Sequence, residues 1–262
     1  MFNKRHIVRT IAATVSILAL SFTAACGSGQ STASNSTDSD DITQQTYKPG
    51  KLTIATGQPA YEPWVMNDKP ESGEGYEAAV AYAVADKLGF KKSDVVWTRT
   101  AFDTAIAPGA KDWDFNIQQF GITDERKKAV DFSSSYYNDS QSVVVKKDSK
   151  FANATKVSDL KDATVGVMVG TLAYDYAKAN IKDDIQTFND DAALAQALDA
   201  GQIDALVTST VECVYMVQSE QVKDAKVLGR LPDSEDKSGM GIVLPKDSKL
   251  TAAVTKAVDD LN

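Results

Sequence analysis

An α/β fold made of two successive series of strands and helices is what the sequence predicts, and three observations carry it. From residue 51 to residue 118, short alternating apolar runs are separated by a stretch whose apolar residues recur every three or four positions. Residues 136–140 turn to loop composition. From residue 163 to residue 207 strand-like and helix-like patterns then alternate a second time. The order strand, helix, strand, helix, strand predicts a parallel sheet with helices on its faces, because parallel strands need a long crossover between them.

In order, residues 51–56 alternate into a first strand that Gly57-Gln58-Pro59 breaks, and a loop holding Tyr61, Glu62, Pro63 and Trp64 follows its carboxyl end. Ligands of α/β folds usually bind at such ends. Residues 76–88 space Ala79, Val80, Tyr82, Ala83 and Leu88 as a helix on a sheet, with Gly89 after its last turn. A second strand is predicted at 95–97, a helical piece opening at Phe102, and a third strand near 115–118. An apolar strand spans 142–145, and the second series then reads strand 163–167, helix 171–178, strand 185–188, helix 190–199 and strand 204–207. Asp190-Asp191 followed by Leu194 and Leu198 gives that second helix a cap and an apolar stripe. A helix at 211–218, a strand at 226–228, a polar stretch at 233–239, a strand at 241–244 and a helix from about 250 complete the chain, which stops at Asn262 inside that last helix on this reading.

The third strand runs into Gln118-Gln119-Phe120-Gly121, and Thr123-Asp124-Glu125 then reads as a helix opening with Arg126 in its first turn. Backbone N–H groups, the positive end of a short helix and a guanidinium would converge there on a carboxylate. Alternatively, Arg126 pairs with Asp124 or Glu125 on a solvated face.

The start of the chain is different in kind. Lys4, Arg5 and Arg9, an apolar run over 11–20 and Thr23-Ala24-Ala25 before Cys26 read as a secretory signal peptide, residues 1–25, too short for a stable membrane span. Cys26 resembles a lipobox cysteine, although Thr23 stands where that pattern usually has Leu; the alternative is a secreted protein with a free Cys26. The Ser-, Thr-, Asn- and Asp-rich stretch to Tyr47 is expected to be a flexible tether, with Cys26 and the tether together covering 26–48. Loss of 1–25 removes three basic and no acidic residues, moving the formal charge from −8 to −11 and making nucleic acid an unsuitable partner. It also removes His6, the only histidine, which excludes Ser-His-Asp and Cys-His catalysis and His-ligated zinc. Only Cys213 remains besides Cys26, so no disulfide is expected in the folded part, and its apolar neighbours predict a buried structural thiol. No cofactor and no metal are expected.

From Lys51 onward, about four fifths of the chain, a set of motifs stands in a particular order: Leu52-Thr53-Ile54, Tyr61-Glu62-Pro63-Trp64, Gly75-Tyr76-Glu77, Ile122-Thr123-Asp124-Glu125-Arg126-Lys127-Lys128, Val130-Asp131-Phe132-Ser133, Tyr136-Tyr137, Val165-Gly166-Val167, Gly170-Thr171, Ile203-Asp204-Ala205 and Gly241-Ile242-Val243-Leu244-Pro245-Lys246. In this order they resemble the family 3 extracellular solute-binding proteins, the amino-acid-binding partners of ABC importers. The resemblance implies a two-lobe, type II periplasmic-binding-protein-like fold. Lobe 1 is expected at 49–138 and 240–262, lobe 2 at 139–239, with two hinge crossings and a ligand cleft between them. Because members usually continue beyond the equivalent of residue 262, it also implies a truncated chain.

By the same resemblance, Arg126 grips the ligand carboxylate with the backbone N–H of Gly121 and the helix start Gly170-Thr171-Leu172, while Tyr61, Trp64 and Phe102 wall the ligand. Core packing is the alternative for the three rings, most seriously for Trp64. Two departures stand out: Ser209 occupies the place of the Asp that usually fixes the ligand's ammonium, and Gly121 stands where Ser or Thr is common. Either Glu212 reaches into the site, or neutral acceptors such as Gln119 and the rings hold the amine, or the ligand has no ammonium. The function implied is a membrane-tethered, monomeric receptor on the outer face of the cell membrane that passes an amino acid or related carboxylate to a permease without chemical change. An enzyme on the same scaffold, resembling cyclohexadienyl dehydratases and using Glu62, Glu77 or Glu212 as acids, and a surface ligand sensor are the alternatives.

Overall fold

The computed structural model describes residues 41–262. The expected signal segment, Cys26 and the tether up to residue 40 lie outside the described residues. The first series forms β1 (Leu52–Thr56), α1 (Tyr76–Lys87), β2 (Val95–Arg99), α2 (Phe102–Ile106), β3 (Phe115–Asn116) and β4 (Val130–Tyr137). The second forms β5 (Gln141–Lys146), β6 (Val165–Met168), α3 (Leu172–Asn180), β7 (Gln186–Phe188), α4 (Asp191–Asp199), β8 (Ala205–Ser209), α5 (Thr210–Gln218) and β9 (Ala225–Arg230). The chain then returns to the first unit as β10 (Met240–Pro245) and α6 (Thr251–Asp259).

Two five-stranded sheets result, in the orders β2-β1-β3-β10-β4 and β7-β6-β8-β5-β9. The expected parallel pairing is present where helices connect the strands: β1 with β2 and β3, and β6 with β7 and β8. Both sheets are nevertheless mixed. β10 runs antiparallel to β3 and β4, and β5 antiparallel to β8 and β9. These are the two strands that enter directly from a crossing, with no helix to turn the chain back into parallel register.

Each sheet buries both faces. In the first, Leu52, Ile54, Phe115 and Leu244 meet α1 and α6 through Val84, Val254 and Val258, while Ala55, Phe120 and Val243 close the other side with Trp113. In the second, Val143 and Val145 of β5 face α3, and Val144 between them faces α4 and α5 through Leu194, Leu198 and Met216. That alternation is the period-two geometry of a strand. Cys213 lies fully buried in this layer, as the sequence predicts, its thiol pushed up by burial and donating to the Thr208 carbonyl at 3.7 Å.

Two expectations need correction at the ends. Residues 41–48 are folded against the first sheet rather than a coil. Ile42 touches its core, Thr46 is buried, and the Asp114 carboxylate accepts from the N–H groups of Tyr47 and Thr53, each at 2.6 Å. One charged acceptor thus fastens a polar segment whose sizeable apolar side chains are only Ile42 and Tyr47. At the other end, α6 closes at Asp259, where the Asp260 N–H reaches the Lys256 carbonyl at 2.9 Å, so Asn262 lies beyond the helix.

The crossings between the sheets are residues 138–140 and 231–239. They are tied together by the Asp236 N–H, which donates to the Asp139 carbonyl at 2.9 Å. The second crossing is also pinned by Ser234, whose hydroxyl accepts from the Gln141 N–H at 3.0 Å.

Candidate ligand-binding cleft

In the second unit the helices α3, α4 and α5 each begin just past the end of β6, β7 or β8, and each is capped by the residue type that favours a helix start. Thr171 accepts from the Tyr174 N–H at 3.2 Å, Asp190 from Ala193 at 2.8 Å and Ser209 from Glu212 at 3.2 Å. The three starts therefore sit at the carboxyl ends of parallel strands and bring Thr171, Leu172, Asp191, Ser209 and Glu212 to one cavity. The first unit contributes Phe102, Gln119, Gly121 and Arg126, and the crossings contribute Asp139 and Asp236. This inner cavity has a volume of about 70 Å³, room for several water molecules. It adjoins an outer chamber of about 390 Å³ that shares Phe102 and Met168 and adds Gln58, Tyr61, Asp103, Gln118, Asn189 and Asp190.

Arg126 points into this space. One guanidinium N–H donates to the Gly121 carbonyl at 2.6 Å and another to the Gly170 carbonyl, in the other unit, at 2.9 Å. The guanidinium carbon stands 5.5 Å from the centre of the Phe102 ring, itself stacked on Phe120 at 4.6 Å. Burial lowers its pKa, opposed by the charges of Asp175 and Asp236. Asp124 and Glu125 pair with Lys127 and Lys128 instead, so the solvated alternative for Arg126 is not what forms. The helix expected at 123–126 does not form either. Only one 3-10 turn, Arg126–Lys128, is present, held by the Arg126 N–H on the Thr123 hydroxyl at 3.1 Å, because β4 begins two residues later. The positive helix end at the cleft comes from α3 alone among the expected pair.

Gly121 lies between two ladder bonds to β10, Gly241 N–H to the Phe120 carbonyl at 2.9 Å and Ile122 N–H to the Gly239 carbonyl at 2.9 Å. Its own N–H and C=O therefore point away from β10, and its carbonyl is the one that holds Arg126. A Cβ here would stand 2.6 Å from Leu172 Cδ1 and 2.8 Å from Asp236 Oδ2. The glycine is what lets the two units approach. Gly170 makes the turn into α3 at φ +74, in the left-handed region, and has open space around it.

Gln119 is held from beneath by Glu77, a fully buried carboxylate in the first turn of α1. Glu77 Oε1 accepts from the Gln119 N–H at 2.7 Å and from the Tyr136 hydroxyl, and Oε2 accepts from the Gln119 side-chain amide. These bonds keep Gln119 at φ +50, a backbone state that non-glycine residues seldom adopt. Burial raises the Glu77 pKa from 4.5 to about 7, and the three donors oppose the rise.

The cavity lining is otherwise acidic. Asp139 Oδ2, Glu212 Oε1 and Asp236 Oδ2 are buried acceptors without a hydrogen-bond partner. Burial raises all three pKa values, that of Glu212 well above its ordinary range, with the charge of Asp191 adding to it. The Trp64 indole N–H is near enough to oppose that rise but lies outside hydrogen-bond geometry, since its nitrogen also has no partner. Asp191 is raised to about 6, by burial first and by Asp190 as well, against a lowering bond from Thr208 at 3.3 Å. Asp236 is drawn back down by the N–H groups of Ser238 and Gly239 and by Arg126.

Ser209 lines the cavity, where its hydroxyl caps α5 and stands near enough to Asp139 to oppose the rise of that carboxyl's pKa. The carboxyl groups of Asp139 and Glu212 line the same cavity. Of the alternatives raised by Ser209, both Glu212 and the neutral pair Gln119 and Phe102 have side chains lining the cavity. Tyr61 walls the outer chamber, where its hydroxyl accepts from the Ala192 N–H at 3.3 Å and burial pushes its pKa up. Trp64 does not line either space: it is 1% exposed in the first core, edge-on to Tyr137 at 5.3 Å. The Tyr215 hydroxyl donates to Glu62 across the rim, so three bonds, from Arg126, Ala192 and Tyr215, span the cleft.

Asp139, Asp191 and Asp236 were not singled out by the sequence patterns. Asp191 had a visible signal, the Asp pair before a helix, which reads equally as a cap. Among the described residues no group of three or more His, Cys, Asp or Glu side chains is disposed to hold a metal ion. No described helix is long and apolar enough to cross a membrane.

Comparison with known proteins gives a consistent pattern. The L-arginine-binding protein of Pseudomonas aeruginosa is 28% identical over 230 residues, covering 82% of this chain and 83% of that protein. The L-cystine-binding protein TcyJ of Escherichia coli is 29% identical over 204 residues, 77% of this chain and 74% of that one. Among solved structures, an ancestral arginine-binding protein bound to arginine superposes with a TM-score of 0.69 at 30% identity, over 81% of this chain and 92% of that chain. The profile of the bacterial extracellular solute-binding proteins, family 3, matches residues 52–262, the span of both sheets, and the chain belongs to that family.

Proposed function

We propose that the protein captures an α-amino acid in this cleft and presents it to an amino-acid ABC importer. The observation that carries the reading is the polarity of one small cavity. A guanidinium and the start of α3 line it together with buried carboxylate oxygens of Asp139 and Glu212 that have no partners. Such oxygens keep their desolvation penalty until a donor arrives, and a zwitterion supplies an ammonium for them and a carboxylate for Arg126. Relatives named for binding L-arginine, L-cystine and glutamine support the class, as does a structural relative described as the substrate binding protein of an amino acid ABC transporter.

In this reading Arg126, the Gly121 N–H and the first turn of α3, with Thr171 and Leu172 after Gly170, hold the ligand carboxylate. Asp139 and Glu212 hold its ammonium, with Ser209 orienting Asp139. Phe102, Gln119 and Tyr61 form the walls. Trp64 supports Glu212 from the core. The lobes, 49–138 with 240–262 and 139–239, open and close about the two crossings, with the bonds from Arg126, Ala192 and Tyr215 belonging to the closed form. The protein acts as a monomer and makes no chemical change. Cys26 carries the lipid that holds it on the outer face of the cell membrane; two or more acyl chains, at about 0.8 kcal/mol per buried methylene, make a lasting anchor.

The test is calorimetric titration of the protein lacking residues 1–26 with the twenty amino acids, repeated for Arg126→Ala. At least one amino acid is expected to bind saturably, with Arg126→Ala weakening it on the order of a hundredfold at unchanged melting temperature. No saturable binding, or full affinity in Arg126→Ala, overturns the assignment. One structural relative is an ancestral amino-acid-binding precursor of cyclohexadienyl dehydratase, so prephenate is the substrate to try for turnover, and turnover would overturn the binding-only reading.

A further inference from the structure

Resting on the amino-acid reading of the inner cavity, we infer that the ligand carries a second positive charge on a long side chain, housed in the outer chamber: it is a dibasic amino acid. The two spaces lie next to each other, with Phe102 and Met168 lining both, and the outer one is the larger, about 390 Å³ against about 70 Å³. An amino acid with its head between Arg126 and Glu212 directs its side chain outward, past the shared Phe102 ring.

Charge decides what that side chain is. The inner lining has Asp139, Asp191, Glu212 and Asp236 against one cation, Arg126. The outer lining adds Asp103 and Asp190 and no basic residue. Arg126 is balanced by Asp236 or by the ligand carboxylate, and one α-ammonium satisfies Asp139 and Glu212. Asp191, Asp190 and Asp103 are then left without a cation.

The sign of a missing donor in the outer chamber itself is Gln118, whose side-chain carbonyl oxygen is buried and unpaired. An aliphatic side chain would leave the Gln118 oxygen without a partner, and any neutral one would leave the Asp103 and Asp190 carboxylates without a cation. An ammonium or guanidinium pairs with them, and its aliphatic stem fits against Tyr61 and Phe102, whose ring faces also attract cations.

The experiment is calorimetric titration of the same protein with L-arginine, L-lysine and their neutral counterparts L-citrulline and L-norleucine, at low and at high salt. L-arginine or L-lysine is expected to bind at least tenfold tighter than its counterpart, with the gap narrowing at high salt. Asp190→Asn, which keeps the α4 cap, and Asp103→Asn, at an exposed position, are each expected to lower the ratio of arginine to citrulline affinity several-fold, with melting temperature checking the fold. If L-citrulline, L-norleucine or another neutral amino acid binds as tightly as the cationic ones, the second charge is refuted and the amino-acid reading stands. If none of the amino acids binds, both fall.

Discussion

Replacing Glu77 by Gln should remove most of the pH dependence that this carboxylate imposes on stability. In the folded protein its pKa is raised from 4.5 to about 7 by burial. A raised carboxylate pKa means that the folded state holds the proton more tightly than the unfolded chain. The stabilisation is therefore full below pH 4.5 and is lost as pH rises through about 7. The span corresponds to about 3 kcal/mol between those limits, at about 1.4 kcal/mol per unit. An amide in the same place does not titrate, and it can still accept from the Tyr136 hydroxyl and the Gln119 N–H, with the Gln119 side chain turned to meet its donor. Other raised carboxylates, Asp191, Glu212 and Asp139, contribute in the same direction but cancel in the difference between variant and wild type. Urea denaturation at intervals from about pH 4.5 to about pH 8 measures that difference. It should shift in favour of the variant by about 3 kcal/mol as pH rises. A constant difference across the range would show that Glu77 titrates normally and that burial does not govern it.

Three further outcomes are expected. Gly121→Ala places a methyl against Leu172 and Asp236, so ligand affinity should fall by about tenfold or more while the melting temperature changes little; scattering with saturating ligand that matches wild type would contradict the close approach. A cationic ligand favours the ionised forms of Asp191 and Glu212, so affinity should rise as pH increases through about 6, with protons released on binding; calorimetry in two buffers of different ionisation enthalpy reads this directly, and zero release at about pH 6 would contradict it. Tyr215→Phe removes the bond to Glu62 across the rim and should speed ligand dissociation about two- to tenfold, since the bond is charge-assisted but only part-buried; an unchanged rate in stopped flow would show that the rim does not hold the cleft shut.

The strands and helices were readable where their cause is local. Period-two alternation in β1 and β5, the Asp190 cap of α4 and the stripe of Leu194 and Leu198 each depend on residues a few positions apart. β3 keeps only two residues, although the pattern continues to Gln118, because Gln119 is pulled into a left-handed state by Glu77, 42 positions away. The antiparallel entry of β5 and β10 follows from the crossings, which no window on the sequence contains. Arg126, Phe102 and Thr171, singled out through the family resemblance, line the inner cavity. Of the acidic lining only Glu212 was raised as an alternative; Asp139, Asp191 and Asp236 stand in separate segments and only folding makes them its neighbours. Trp64 illustrates the opposite ambiguity: an aromatic beside a strand end has the same signature whether it faces a ligand or a core, and burial alone decides.

The bond from the Asp236 N–H to the Asp139 carbonyl joins the two connecting strands at the residues whose carboxylates line the inner cavity. Flexing either strand drags its neighbour along, so the pair bends like one strap rather than two. Whatever swings the halves apart must also carry those two acid groups out of position. Emptying the cleft and loosening its grip are, in mechanical terms, a single stroke.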